Sequence, residues 1–122
     1  MQSAAITGSW RMTKLFCIHN HEEPIEMIIK AGPSSLFFAC PKYDLESLGE
    51  GERRCNNRLS MVDFTNMLDH FSDVLVESEM NDIQMDLTNM VWKNRKGIVF
   101  KVLKHTPGCL EVGVINMRAI RS

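Results

Sequence analysis

The sequence predicts an α+β fold in which a small β-sheet module is followed by an amphipathic helix and a C-terminal antiparallel β-meander. Three observations predict it. Short apolar runs bounded by Pro, Gly and polar turns fill the first half of the chain. A single stretch from Ser60 then repeats apolar residues at intervals of three and four. After Asn81 the period changes to the two-residue alternation of strands.

Each element follows from its own residues. Lys14 to His21 reads as a strand entering a turn at Glu22, Glu23 and Pro24. Ile25 to Lys30 is a second apolar run, closed by Ala31, Gly32 and Pro33, and Leu36 to Cys40 is a third that stops at Pro41, which cannot donate to a ladder. Tyr43 to Arg54 is polar, holds Gly49 and Gly51, and is expected to loop out before Cys55. Ser60 can cap a helix and Asp63 suits its positive end. Met61, Phe64, Met67, Leu68, Phe71, Val74 and Leu75 then form one apolar stripe over about five turns. Ile83, Met85 and Leu87 alternate, Met90 to Trp92 is a short apolar patch, and Asn94 to Gly97 has hairpin composition. Ile98 to His105 alternates apolar and basic residues, Thr106 to Gly108 turns the chain, and Cys109 to Met117 runs back.

The organisation expected is a disordered leader over 1–11, a metal-binding β module over 12–59, and the helix with its meander over 60–122, packed with that module as one domain. Residues 1–11 are small and polar without periodicity, and Met12 is a second candidate start. No segment approaches the roughly 20 apolar residues of a membrane span, and no apolar secretory stretch opens the chain. A cytoplasmic protein without membrane contact is therefore expected.

Four cysteines in a reducing compartment are read first as metal ligands. Residues two apart on a strand share a face, so Cys17, His19 and His21 present side chains together. Cys40 at another strand end and Cys55 beyond a polar loop supply the rest. Thiolate and imidazole suit Zn²⁺, and four protein donors with no open position define a structural ion. The expected ligands are Cys17, His19, Cys40 and Cys55, with His21 the competing fourth donor. The opposing reading is buried free thiols, and placement at strand ends and in a loop argues against it. His105 and Cys109 flank one turn and are left outside the site. Arg53 and Arg54 are placed to offset the net negative charge of a three-thiolate centre.

These residues resemble the GRF-type zinc fingers. The likeness rests on Phe16-Cys17-Ile18-His19, Phe37-Phe38-Ala39-Cys40-Pro41 and the later Cys55, over about residues 15 to 57. The resemblance implies a small zinc-holding β-sheet that serves as an accessory binding single-stranded nucleic acid. In place of that family's Gly-Arg-Arg run the chain has Gly32-Pro33-Ser34-Ser35-Leu36, and Asn56-Asn57-Arg58-Leu59-Ser60 follows the last Cys. The ligands carry over, and the nucleic-acid contacts do not. The whole chain is also similar to small uncharacterised proteins of bacterial mobile elements, which implies a setting and no activity.

Charge distribution bears on the partner. Net charge is −1, yet Met61 to Asp86 holds seven acids and no Lys or Arg, whereas Leu87 to Ser122 holds seven basic residues and one acid, Glu111. Lys93, Arg95, Lys96, Lys101 and Lys104 crowd the meander with Trp92 and Phe100 among them, as a phosphate-contacting surface with stacking platforms requires. The alternative is a protein-interaction adaptor, in which zinc replaces core that a short chain lacks. No Gly-rich phosphate loop, set carboxylate pair or nucleophile motif points to an enzyme.

Overall fold

The computed structural model describes residues 12–121, so the expectation for 1–11 falls outside the described residues. Strands β1 (Met12–Cys17), β2 (Ile25–Glu26), β3 (Ile28–Ala31), β4 (Leu36–Ala39) and β5 (Arg58–Ser60) precede helix α1 (Met61–Met80). Strands β6 (Val91–Lys93), β7 (Val99–Thr106) and β8 (Cys109–Ile115) follow, and a short helix α2 (Met117–Arg121) ends the described chain. Two 3₁₀ turns, Pro41–Tyr43 and Leu45–Ser47, occupy the polar loop.

The strands form two sheets, one ordered β2-β1-β8-β7-β6 and one ordered β3-β4-β5. The C-terminal meander is antiparallel as expected, with Trp92 opposite Phe100 and Val102 opposite Val112. Its hairpin turn is built by Asn94, whose Oδ1 accepts from the Lys96 and Ile98 amides, and by Gly97 at a φ of 82°. The register shifts between Val102 and Lys104, so Lys104 still faces Glu111.

Strand β1 departs from the expected layout. It pairs in parallel with β8, Leu15 opposite Val112 and Cys17 opposite Val114, and so belongs to the meander's sheet. The expected second strand is split: Met27 turns into the core, its amide donating to the Leu15 carbonyl, and the chain passes from the first sheet into the second. Strand β8 also ends sooner, at Ile115, before α2. The alternating run Ile83 to Leu87 is not a strand. Leu87 is buried, and its amide donates to His105 Nδ1.

Ser60 caps α1 by accepting from the Asp63 amide. Met67 and Phe71 are buried, and Phe64 packs on Phe38 of β4 while Phe71 meets Trp92 of β6. The helix thus lies against β4 of the smaller sheet and one face of the larger. Leu15, Cys17, Leu59, Phe100, Val102, Leu110, Val112 and Val114 complete one continuous core with it.

Candidate metal centre

Three ends of backbone converge where the sheets meet. Cys17 is the last residue of β1, Cys40 follows β4 and opens the first 3₁₀ turn, and Cys55 lies on the return to β5. Backbone bonds fix this convergence: the Cys40 amide donates to the Asn57 carbonyl and the Cys55 amide to the Lys42 carbonyl.

The fourth member of the cluster is His21. Donor atoms of Cys17, His21, Cys40 and Cys55 all lie within 4.8 Å of one another. The expected ligand, His19, stands outside that group, with its Nε2 3.2 Å from Asn20 Nδ2. The reason is local. Strand β1 ends at Cys17, the chain bends at His19 and Asn20, and Asn20 takes a φ of 54°. The two-residue alternation that put His19 on the cysteine face therefore stops before it.

The spacings fit a tetrahedral ion. Zn–S bonds of about 2.3 Å and Zn–N bonds of about 2.0 Å give edges of about 3.8 Å between sulfurs and about 3.5 Å between sulfur and nitrogen. Cys17 Sγ lies 3.7 Å from Cys55 Sγ, and Cys40 Sγ lies 3.4 Å from His21 Nε2. A disulfide would need sulfurs at about 2.05 Å, and all four cysteines are free.

Hydrogen-bond donors point at all three sulfurs, and Cys17 is the one held as a thiolate. Each clustered sulfur receives the amide two residues on: His19 to Cys17, Lys42 to Cys40, Asn57 to Cys55. Asn57 Nδ2 adds a fourth donor to Cys17 Sγ at 3.1 Å. Hydrogen bonds from the Cys40 and Cys55 thiols, ahead of those from Asn57 and His19, hold the Cys17 thiol far below its usual range. Cys40 and Cys55 are pushed up, first by sharing a proton with Cys17, because a second thiolate alongside the first is unfavourable in a buried site. A divalent cation would take over the role of those protons.

Asn57 carries no local signal in the sequence, where it is one of two adjacent loop asparagines. It is fully buried, donates also to the Val114 carbonyl at 2.7 Å, and accepts from the Asn116 amide at 2.9 Å. It therefore ties the Cys17 sulfur to β8 and to the start of α2. A cleft of about 490 Å³ opens beside the centre, lined by His19, His21, Lys42, Glu52, Arg53 and Arg54. Lys42 pairs with Glu52, and Arg54 turns to Tyr43, donating to its carbonyl and lying 4.4 Å over its ring. Cys109, at the opposite end of β8 from Val114, and His105, which accepts from Leu87, are outside the cluster.

The basic residues of the meander divide into two groups. Arg95 and Lys96 line a cleft with Asp63, Asp69 and Asp73 of α1, and Lys96 Nζ lies 3.1 Å from Asp63. Lys93, Lys101 and Lys104 are exposed on the sheet face turned away from the helix. Phe100 is fully buried and cannot stack on a base, while Trp92 is half-buried between His70, at 4.1 Å, and Phe100.

No protein-family model, curated protein or solved structure matches the chain significantly. The likeness to GRF-type fingers thus rests on the residues that carry it. No helix among the described residues is long and apolar enough to cross a membrane.

Proposed function

We propose that Cys17, His21, Cys40 and Cys55 hold one structural Zn²⁺ and that the chain is a zinc-stapled accessory module for nucleic acid. The observation that carries the metal is the gathering of four Cys and His donor atoms within 4.8 Å of one another, with two of their separations equal to edges of a zinc tetrahedron. Four protein donors leave no position for water, so the reading is not enzymatic. Support for nucleic acid comes from sidedness: the exposed acids Asp69, Asp73, Glu77 and Glu79 lie on the helix, and Lys93, Lys101 and Lys104 lie across the sheet from it. A net charge of −1 then conceals a basic side able to steer a polyanion.

The test pairs metal analysis with binding of labelled oligonucleotides over a range of salt. One zinc per chain is expected, and replacing Lys93, Lys101 and Lys104 with Gln should flatten the salt slope by about 0.7 per lost contact for a single strand. Failure to bind at low salt would overturn the nucleic-acid reading and leave the zinc staple standing. The adaptor reading draws on Ile28, Ile29 and Leu36, exposed at 39%, 57% and 50% on β3 and β4. A stable homodimer that binds no nucleic acid would favour it.

A further inference from the structure

The strand registers bring together a surface that no local motif marks. Residues opposite one another in a sheet share a face, so the side of the larger sheet turned away from α1 can be read row by row. One row runs Glu26, Phe16, Gly113, Lys101, Val91. The next holds Lys14, Glu111 and Lys104. Phe16 is half-buried on β1, one strand in from the edge of this face, beside Gly113, a position on the central strand with no side chain of its own. The Ile18 side chain occupies that space, its Cγ2 2.7 Å from where a Cβ on Gly113 would stand. Phe16 is thereby left as the ring on a face that carries four lysines, with Lys14 about 7 Å along its strand and Lys101 about 10 Å across the sheet.

We propose that this outer face binds a single-stranded nucleic acid, with Phe16 as the platform for one unpaired base and Lys14, Lys101 and Lys104 contacting the flanking phosphates. The proposal rests on the nucleic-acid reading above and assigns it a site. Charge complementarity supplies the occupant: Lys14, Lys93, Lys101 and Lys104 outnumber Glu26 and Glu111 on the face, and the helix acids lie on the far side. A ring amid lysines serves a strand whose bases are free to stack, and a duplex offers it none. The site also excludes Arg95 and Lys96, which face the acids of α1.

The experiment measures affinity by fluorescence anisotropy for three probes of equal length: oligo-dT, the same strand lacking bases, and a duplex. Phe16→Leu should weaken oligo-dT binding about 5-fold to 100-fold, the range carried by one stacked base, and leave the abasic strand unaffected. Phe16→Tyr should restore binding, and Lys14→Gln should weaken both single strands and flatten the salt slope by about 0.7. Should Phe16→Leu fail to fold, crosslinking of an iodouracil strand to the unaltered protein gives the same answer, with adducts expected at Phe16. Adducts confined to the cleft beside the metal, a preference for duplex, or equal oligo-dT binding by Phe16→Leu would overturn the site. If Lys101→Gln and Lys104→Gln weaken binding while Phe16→Leu does not, the site fails and the broader reading survives. If the unaltered protein binds no probe, the broader reading itself fails.

Discussion

Replacing Asn57 with Ala removes a side chain that is fully buried and joins three parts of the structure. Its Nδ2 donates to Cys17 Sγ at 3.1 Å and to the Val114 carbonyl at 2.7 Å, and its Oδ1 accepts from the Asn116 amide at 2.9 Å. Burial keeps bulk water from replacing these partners, so each lost bond costs about 1 kcal/mol, giving about 3 kcal/mol for the three. A water entering the vacated space would recover part of this. At about 4 °C per kcal/mol for a chain of this size, the melting temperature should fall by about 12 °C. Zinc affinity should drop about 10-fold to 100-fold, as when a hydrogen-bond partner of a ligand is removed. Asn57→Asp should be worse, because it replaces both N–H donors with a carboxylate beside thiolates. Calorimetry of the zinc-loaded protein and competition with a chromogenic chelator measure the two quantities. A loss below about 1 kcal/mol with unchanged affinity would refute the reasoning, since the bonds would then be geometric neighbours that hold nothing.

Cys17→Ser, Cys40→Ser and Cys55→Ser should each abolish stoichiometric zinc binding, read by metal analysis, while Cys109→Ser should leave it intact. His21→Ala should also abolish stoichiometric binding and His19→Ala should change affinity less than 10-fold; the reverse pattern would move the fourth ligand back to His19. Ser60→Ala should destabilise the protein by about 1 kcal/mol in urea titration, through loss of the cap on Asp63. His70, stacked on Trp92, has its pKa lowered from 6.5 chiefly by burial. The unfolded chain therefore takes up the proton first, and the stability contribution present above pH 6.5 is lost as pH falls through the lower folded value. NMR titration of His70 should place its midpoint below 6.5, and His70→Phe should remove that part of the pH dependence.

The legible features were those with local physical signatures. Metal sites take few donor types, so three cysteines at strand ends and in a loop mark a candidate centre, and Cys17, Cys40 and Cys55 do converge. The cap and the three-and-four spacing located α1, and Asn94 with Gly97 located the turn. What escaped depended on contacts between distant residues. The parallel pairing of β1 with β8 joins Leu15 to Val112 across almost the whole chain, and neither strand alone indicates it. Strand alternation carried past Cys17 selects His19, and the bend at Asn20 ends that alternation. Asn57 resembles any polar loop residue until burial makes its hydrogen bonds obligatory. The outer-face pair Lys14 and Phe16 was within reach, since Leu15 and Cys17 between and after them are the core positions of the same alternation.

The pairing of β1 with β8 changes what the metal centre can do for the fold. Were the ligands gathered in a self-contained finger, losing the ion would release that finger and leave the helix and meander folded. Instead Cys17 ends a strand inside the five-stranded sheet, with β2 on one side and β8 on the other, while Cys40 and Cys55 flank strands of the second sheet. The smaller sheet is only three short strands, and its attachment to the larger one includes Met27, the Asn57 bonds and α1. An ion bound to all three sulfurs would therefore crosslink the two sheets at the point where β2 passes into β3. Its binding free energy would become folding free energy for both, because the four donors do not sit together in the unfolded chain. The same crosslink bears on the outer face, since Phe16 and Lys14 lie on the strand that Cys17 terminates. The centre can thus be wholly structural in its chemistry and still govern whether a binding surface on the far side of the sheet exists.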